Sequence, residues 1–254
     1  MLLEVPPERR ETLRPLFAGF PGLHGCLDAA LEGTMGRAWV DPSLEGRPAV
    51  GLVQLDFFFI AGDPNAPAGE EAVRAVDQRA SIATSNAAWE PLLRRVWGER
   101  LQPHTRVEFD SGAWDRARLR AFIDSLPDGF DLRRITLDDA ARFAELAPSL
   151  VYNFPSLEDF IARGAGFGIE REGSFVSGCS SFAICSRSIE FEIQTHPDFR
   201  QRGLACATAA AMIEHCIERG LEPSWDAHND MSAALATKLG FIEPAPYTAY
   251  ELRP

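Results

Sequence analysis

A mixed α+β fold in two parts is the architecture that the sequence predicts, and three observations predict it. Strand-like alternation and helical 3.6-residue periodicity take turns along the whole chain. The 254 residues, 46% hydrophobic and 24% charged, suffice for two ordinary cores and lie far from a disordered composition. The Pro127-Asp128-Gly129 turn then interrupts the pattern midway, after which the same rhythm restarts. The boundary is therefore placed at 127/128, giving domains 1–127 and 128–254.

In the first part, Pro6–Phe20 reads as a helix with Leu13, Leu16, Phe17 and Phe20 on one face, closed by Gly19, Pro21 and Gly22. Leu23–Leu31 is a second short helix ending near Gly33, and Ala38–Val40 a strand stopped by Asp41-Pro42. Ala49–Ala61 reads as one long strand containing the block Phe57-Phe58-Phe59-Ile60. A turn at Gly62-Asp63-Pro64-Asn65 leads to a helix over Ala68–Gln78 and a brief strand at Ser81–Thr84. Asn86 caps a helix reaching Trp97-Gly98; a strand at Thr105–Phe109 and a helix over Trp114–Leu126 follow.

The second part opens with a strand at Phe130–Ile135, then helices over Asp138–Ala147 and Leu157–Arg163. Strands Gly166–Glu170 and Ser174–Ile184 are joined by Arg171-Glu172-Gly173, a hairpin signature. A strand at Ser188–Thr195 ends at His196-Pro197, and a long Ala- and Cys-rich amphipathic segment runs to Arg219-Gly220. Pro223–Ala227 is a strand, Asn229–Leu239 a helix capped by Asn229 and ended by Gly240. Phe241–Leu252 supplies one or two last strands, broken by Pro244 and Pro246.

Composition excludes several function classes. A net charge of −12 disfavours a polyanion, so no nucleic-acid partner is expected. No apolar run approaches the roughly 18–20 residues that span a bilayer, and the first residues lack the basic start and apolar core of a signal peptide. Five unclustered Cys argue against a disulfide framework and fit a reducing cytosol, so a cytoplasmic location is expected. No Cys or His spacing suits zinc, and His215-Cys216 reads as packing; no metal is expected. The acidic surface is mildly favourable to a small-molecule amine and is also ordinary for a globular protein; a homodimer is left open.

The segment Arg200-Gln201-Arg202-Gly203-Leu204-Ala205 carries the chemistry. A strand, a basic loop and a helix start in immediate succession leave unpaired N–H groups at the helix end, which suits a phosphate. Gly203 allows close backbone approach, Ala205 keeps the next position small, and Arg200 and Arg202 add charge at the rim.

These residues resemble the GNAT superfamily of acetyl-coenzyme A-dependent N-acetyltransferases, over roughly Phe130 to Pro254. The family's Arg/Gln-x-x-Gly-x-Gly/Ala loop is matched by Arg200, Gly203 and Ala205, after a strand ending in Thr195-x-Pro197. Its Asn-x-x-x-x-x-Leu…Lys-x-Gly-Phe helix is matched by Asn229, Leu235, Lys238, Gly240 and Phe241. The two-part length and the run from Trp225 through Ser232 to Phe241 look like a bacterial subgroup with an additional N-terminal domain. The resemblance implies a GNAT fold in the C-terminal half and acetyl-CoA as acetyl donor. The loop residues Arg200, Gln201, Arg202, Gly203, Leu204 and Ala205 would cradle its pyrophosphate. It also implies that the strand before the loop splays from the next. Ile193, Gln194 and Thr195 would then pair with the pantetheine arm, one of their N–H groups would stabilise the oxyanion, and Asn229 would face the arm.

Catalysis needs a neutral amine and a proton for the leaving thiolate. Family members often use a Glu on the strand before the loop as base; Glu190 and Glu192 both stand there, on one strand face. Many place a Tyr seven residues after the motif Asn as acid, and here that position is Ala236. Ser232, one turn from Asn229, then becomes the candidate for both acid and cofactor contact, with Tyr247, Tyr250 or water as alternatives. The implied reaction is acetyl transfer to a primary amine of a small molecule or amino terminus. The alternative is a non-catalytic acyl-CoA sensor or partner-binding module.

The first half echoes the second: Asn86…Leu92…Gly98 parallels Asn229…Leu235…Gly240, but no Arg-x-x-Gly-x-Ala loop follows Ile60. It is expected to be a degenerate GNAT-like half without a coenzyme site that shapes the substrate cleft.

Overall fold

The computed structural model describes residues 1–42, 48–77 and 80–253. The chain begins with β1 (Leu3–Glu4), a 3-10 helix (Pro7–Phe17), α1 (His24–Leu31) and β2 (Arg37–Val40). Next come β3 (Val50–Leu55), β4 (Phe57–Gly62), α2 (Gly69–Arg74), β5 (Ser81–Thr84), α3 (Glu90–Trp97), β6 (Leu101–Asp110) and α4 (Arg116–Asp124). After them follow β7 (Asp131–Arg134), α5 (Leu137–Leu146), α6 (Leu157–Arg163), β8 (Gly166–Arg171), β9 (Ser174–Ile184) and β10 (Ser188–Thr195). The chain closes with α7 (Leu204–Arg219), β11 (Glu222–Ala227), α8 (Asp230–Leu239) and β12 (Ile242–Leu252). Contacts divide it into two units, residues 1–108 with 245–254, and residues 109–244. The expected boundary at 127/128 falls inside the second unit, between α4 and β7.

In the first unit the strand order is β1-β2-β3-β4-β5-β12-β6. The long strand expected over Ala49–Ala61 is a hairpin. Asp56 takes a left-handed conformation (φ 56°), and Leu55 pairs back onto Phe57. A continuous apolar run hid the turn, because Asp is one of the few side chains that tolerate that region. The helix expected over Pro6–Phe20 is a shorter 3-10 helix with Pro15 inside it, where proline removes a backbone donor. The helix expected over Ala68–Gln78 shortens to α2, and Gln78 lies outside the described residues. The core gathers β3, β4 and β5 against α2 and α3 around the fully buried Trp89, Ile60, Ile82 and Leu93. β12 runs through Pro244 and Pro246 as one strand and pairs antiparallel with β5, Ala249 opposite Ala83.

In the second unit the order is β11-β10-β9-β8-β7. β8 and β9 form the expected hairpin, with Glu172 at φ 52° and Gly173 at φ 84°. A capping box between Thr136 and Asp139 starts α5, and Asp139 also holds Arg142 at 3.0 Å and Arg133 at 3.1 Å. α7 buries its own Ala207, Ala210, Met212 and Ile213. α4 joins this unit because it docks on α7. Arg116 pairs with Glu214, Arg118 donates to the Lys238 carbonyl at 2.6 Å, and Trp114 meets Phe241 edge-on at 4.9 Å.

Candidate active site

The site grows from a mismatch between the two ladders of β10. Against β9 the strand keeps seven antiparallel rungs, from Ile189↔Ile184 to Thr195↔Ser177. Against β11 it has three parallel rungs, the last being Glu190↔Ser224. From Phe191 onward β10 therefore stays anchored on one edge and diverges from β11 on the other. The divergence coincides with a register shift between Glu190 and Phe191, where β9 carries the extra residue Phe182. Such a bulge bends and twists its strand. Phe191, Trp225 and Phe241 fill the far side, their ring centroids 5.2–6.5 Å apart.

The loop follows directly. Gln201 (φ 62°) and Gly203 (φ 79°) both take the left-handed conformation, and Gly203 is the N-cap of α7 without a side-chain cap. The first-turn N–H groups of Leu204, Ala205 and Cys206 thus have no capping side chain. No atom stands within 4 Å of where a Gly203 Cβ would sit, so the space over the helix end is open. Arg200 reaches back to the Thr195 carbonyl at 3.3 Å, and Arg202 stacks on Phe199 at 5.5 Å. Both are exposed, on the rim. Thr195 Oγ1 shares a 2.8 Å hydrogen bond with Ser177 Oγ, which pins the end of β10.

The two candidate carboxylates differ in their surroundings. Glu190 is buried; its Oε2 accepts from Ser224 Oγ at 2.6 Å and its Oε1 from the Asp226 N–H at 3.0 Å. Glu192 is half-buried and accepts from Gln194 Nε2 at 2.8 Å, on the diverging stretch. Asn229 caps α8 through Oδ1, accepting from the Ser232 N–H at 2.9 Å, which leaves its amide NH2 group as donor. Ser232 Oγ accepts from the Trp225 indole N–H at 3.1 Å. Ala236, in the position where family members often carry Tyr, is fully buried. Tyr247 and Tyr250 belong to the core of the first unit. The Tyr250 phenol donates to Glu90 at 3.4 Å, and burial first, with Glu90 beside it, pushes it up to about 12.

Burial pushes the Cys216 thiol up to about 12, and burial, with Cys216 and Glu192 nearby, raises Cys179 well above the ordinary range. Neither supplies a thiolate nucleophile. The sequence reading missed Ser224 and Asp226. Their signal was two polar residues in an otherwise apolar strand, Pro223–Ala227.

The corresponding elements of the first unit lack these features. β5 pairs along its whole length with β4, from Phe57↔Ser81 to Ile60↔Thr84, so the ladder does not open. Before α2, a Cβ on Gly69 would meet the Pro64 carbonyl oxygen at 2.5 Å, so the helix end is closed.

A family model described as GNAT acetyltransferase matches residues 14–250. The chain belongs to the GNAT acetyltransferase family. It is 30% identical over 205 residues to the uncharacterized N-acetyltransferase YdfB of Bacillus subtilis, covering 76% of each. A GCN5-related N-acetyltransferase-like protein from Streptococcus suis is 34% identical, with a TM-score of 0.86 over 97% of this chain and 99% of that one. A tandem GNAT protein from the clavulanic acid biosynthesis pathway shares the fold, with a TM-score of 0.58 at 12% identity. These GNAT relatives bear out the fold read from the Arg200–Ala205 and Asn229–Phe241 motifs. Among the described residues, no helix is long and apolar enough to cross a membrane.

Proposed function

We propose that this GNAT acetyltransferase takes acetyl-CoA as donor and transfers the acetyl group by direct attack to a primary amine, of a small molecule or an amino terminus, in the cytoplasm. The observation that carries the reading is the β10–β11 ladder stopping at Glu190 immediately before the open N-terminus of α7. An extended arm fits the freed edge, and a pyrophosphate fits the helix end. The site's donors suit that group: first-turn N–H groups with no capping side chain, a glycine with open space above it, and two rim arginines.

Acetyl-CoA, when bound, supplies the acetyl thioester. The chain's residues do the rest. The edge of Ile193, Gln194 and Thr195 pairs with the arm, and one of its N–H groups meets the developing oxyanion. Glu192 accepts the amine proton, directly or through water, because its carboxylate is half-exposed on the diverging stretch. Ser232 donates a hydrogen bond to the departing sulfur and hands it that proton as water reprotonates the serine, and the Asn229 amide holds the arm. The first unit has no coenzyme site in this reading.

One observation favours a second reading, an acyl-CoA sensor without turnover: Ala236 is buried where an acid is usual. Thiol release from acetyl-CoA across a panel of amines separates the two. Turnover on any amine supports the enzyme, whereas binding with no release on all of them supports the sensor.

A further inference from the structure

The buried carboxylate of Glu190 has a role distinct from proton transfer. It sits on the last rung that β10 shares with β11, and its hydrogen bonds from Ser224 and Asp226 run forward onto β11. Ser224 is its rung partner, and Asp226 stands two residues further along, where the strands have already separated. A parallel ladder normally satisfies such N–H groups with carbonyls of the neighbouring strand. Here a side chain of that neighbour accepts instead, and β10 is free to leave. We propose that Glu190 is a positioning residue that terminates the β10–β11 ladder and so holds the cofactor cleft open before ligand arrives.

Physical chemistry supports the assignment. Ser224 and Asp226 are half-buried, so their donors are partly shielded from water and gain by a protein acceptor, and the buried carboxylate of Glu190 is a strong one. With the acceptor gone, the Asp226 N–H and Ser224 hydroxyl recover partners most directly if β10 closes onto β11. The ligand must then reopen the strands, which lowers its apparent affinity by the fraction of open molecules. Phe191, next in β10, packs against Trp225 and Phe241.

The inference rests on the cleft being the acetyl-CoA site, and the experiment separates the two ideas. Acetyl-CoA is titrated calorimetrically into the wild-type chain and into Glu190→Gln, Glu190→Ala and Ser224→Ala, without acceptor. Amide hydrogen exchange of residues 191–195 is followed on the ligand-free proteins. Glu190→Gln keeps an acceptor oxygen and is expected to bind within about threefold of wild type. Glu190→Ala is expected to weaken binding about tenfold, the scale of one lost hydrogen bond to a charged group. Its β10 amides facing away from β9 should gain protection as the ladder extends. In steady state the KM for acetyl-CoA rises while the acid limb of the kcat profile persists.

Unchanged exchange and affinity in Glu190→Ala would overturn the inference. So would a Glu190→Gln variant that binds normally but loses turnover about 100-fold together with the acid limb, since that marks a general base. Should Glu190→Ala fail to fold, Ser224→Ala decides: slower exchange and weaker binding support the clamp, and wild-type values refute it. A wild-type chain that ignores acetyl-CoA would refute the cofactor reading, and the exchange data would still judge the clamp.

Discussion

The Trp225 indole N–H donates to Ser232 Oγ at 3.1 Å, which turns the serine into a donor. An indole can only give a hydrogen, so the hydroxyl must direct its own proton elsewhere. Ser232→Ala should lower kcat by about 100-fold, the lower end for a general acid, with the acetyl-CoA KM little changed. Trp225→Phe should lose about tenfold by freeing the hydroxyl to rotate. Steady-state kinetics on both variants check the pair.

Substitution at Gly203 should separate strain from occlusion. Its φ of 79° costs an L-residue about 1–2 kcal/mol. Gly203→Ala is therefore expected to lower the Tm and weaken acetyl-CoA binding through the tilted helix end. Gly203→Glu should abolish binding, by placing a carboxylate in the open space where the pyrophosphate belongs. Thermal denaturation and calorimetry give the two readings side by side.

Glu192→Gln should remove about 100-fold from kcat at neutral pH while sparing acetyl-CoA affinity. A base works only when deprotonated, so wild-type kcat should rise with pH and then level off. The variant should lack that rising limb. A pH–rate profile that keeps the limb would place the base elsewhere.

The first unit should carry its own pH dependence. Both ring nitrogens of His24 face acceptors, Nδ1 the Glu108 carboxylate at 3.1 Å and Nε2 the Phe20 carbonyl at 2.8 Å. The hydrogen bond that His24 donates to Glu108 leads in raising it to about 9, burial opposes, and the charge of Glu108, the Phe20 carbonyl and, weakly, Asp28 raise it further. A raised folded value stabilises fully below the unfolded value of about 6.5 and is lost as pH climbs toward 9. The side chain is 56% exposed, so the effect should stay below about 1 kcal/mol. Denaturant melts of wild type and His24→Gln should converge as pH rises from 6.5 to 9.

Legibility in the sequence followed the range of the interaction involved. Strands Ser81–Thr84, Ser174–Ile184 and Ser188–Thr195 and helix Leu157–Arg163 were readable to the residue, because alternation and local caps set their ends. The uncapped start of α7 behind Gly203 was readable because one glycine and one helix start create it. Asp56 concealed a hairpin inside an apolar run, and Pro244 and Pro246 suggested a break that β12 does not make. What Glu190 holds could not be read, since its partners lie 34 and 36 residues away. The docking of α4 on α7 was hidden for the same reason: Arg116 and Glu214 are 98 residues apart.

The return of residues 245–254 to the first unit sets an order of assembly during synthesis. The second unit, 109–244, is continuous and has all its strands once Pro244 has left the ribosome. The first unit waits, because β5 and β6 acquire their shared neighbour β12 only after the whole second unit has been made. Long-range closure of this kind is slow and leaves apolar strand edges uncovered meanwhile. A released chain truncated after Pro244 should therefore present a protease-resistant second unit and a protease-sensitive first one. The acetyltransferase would be assembled from its far half backward.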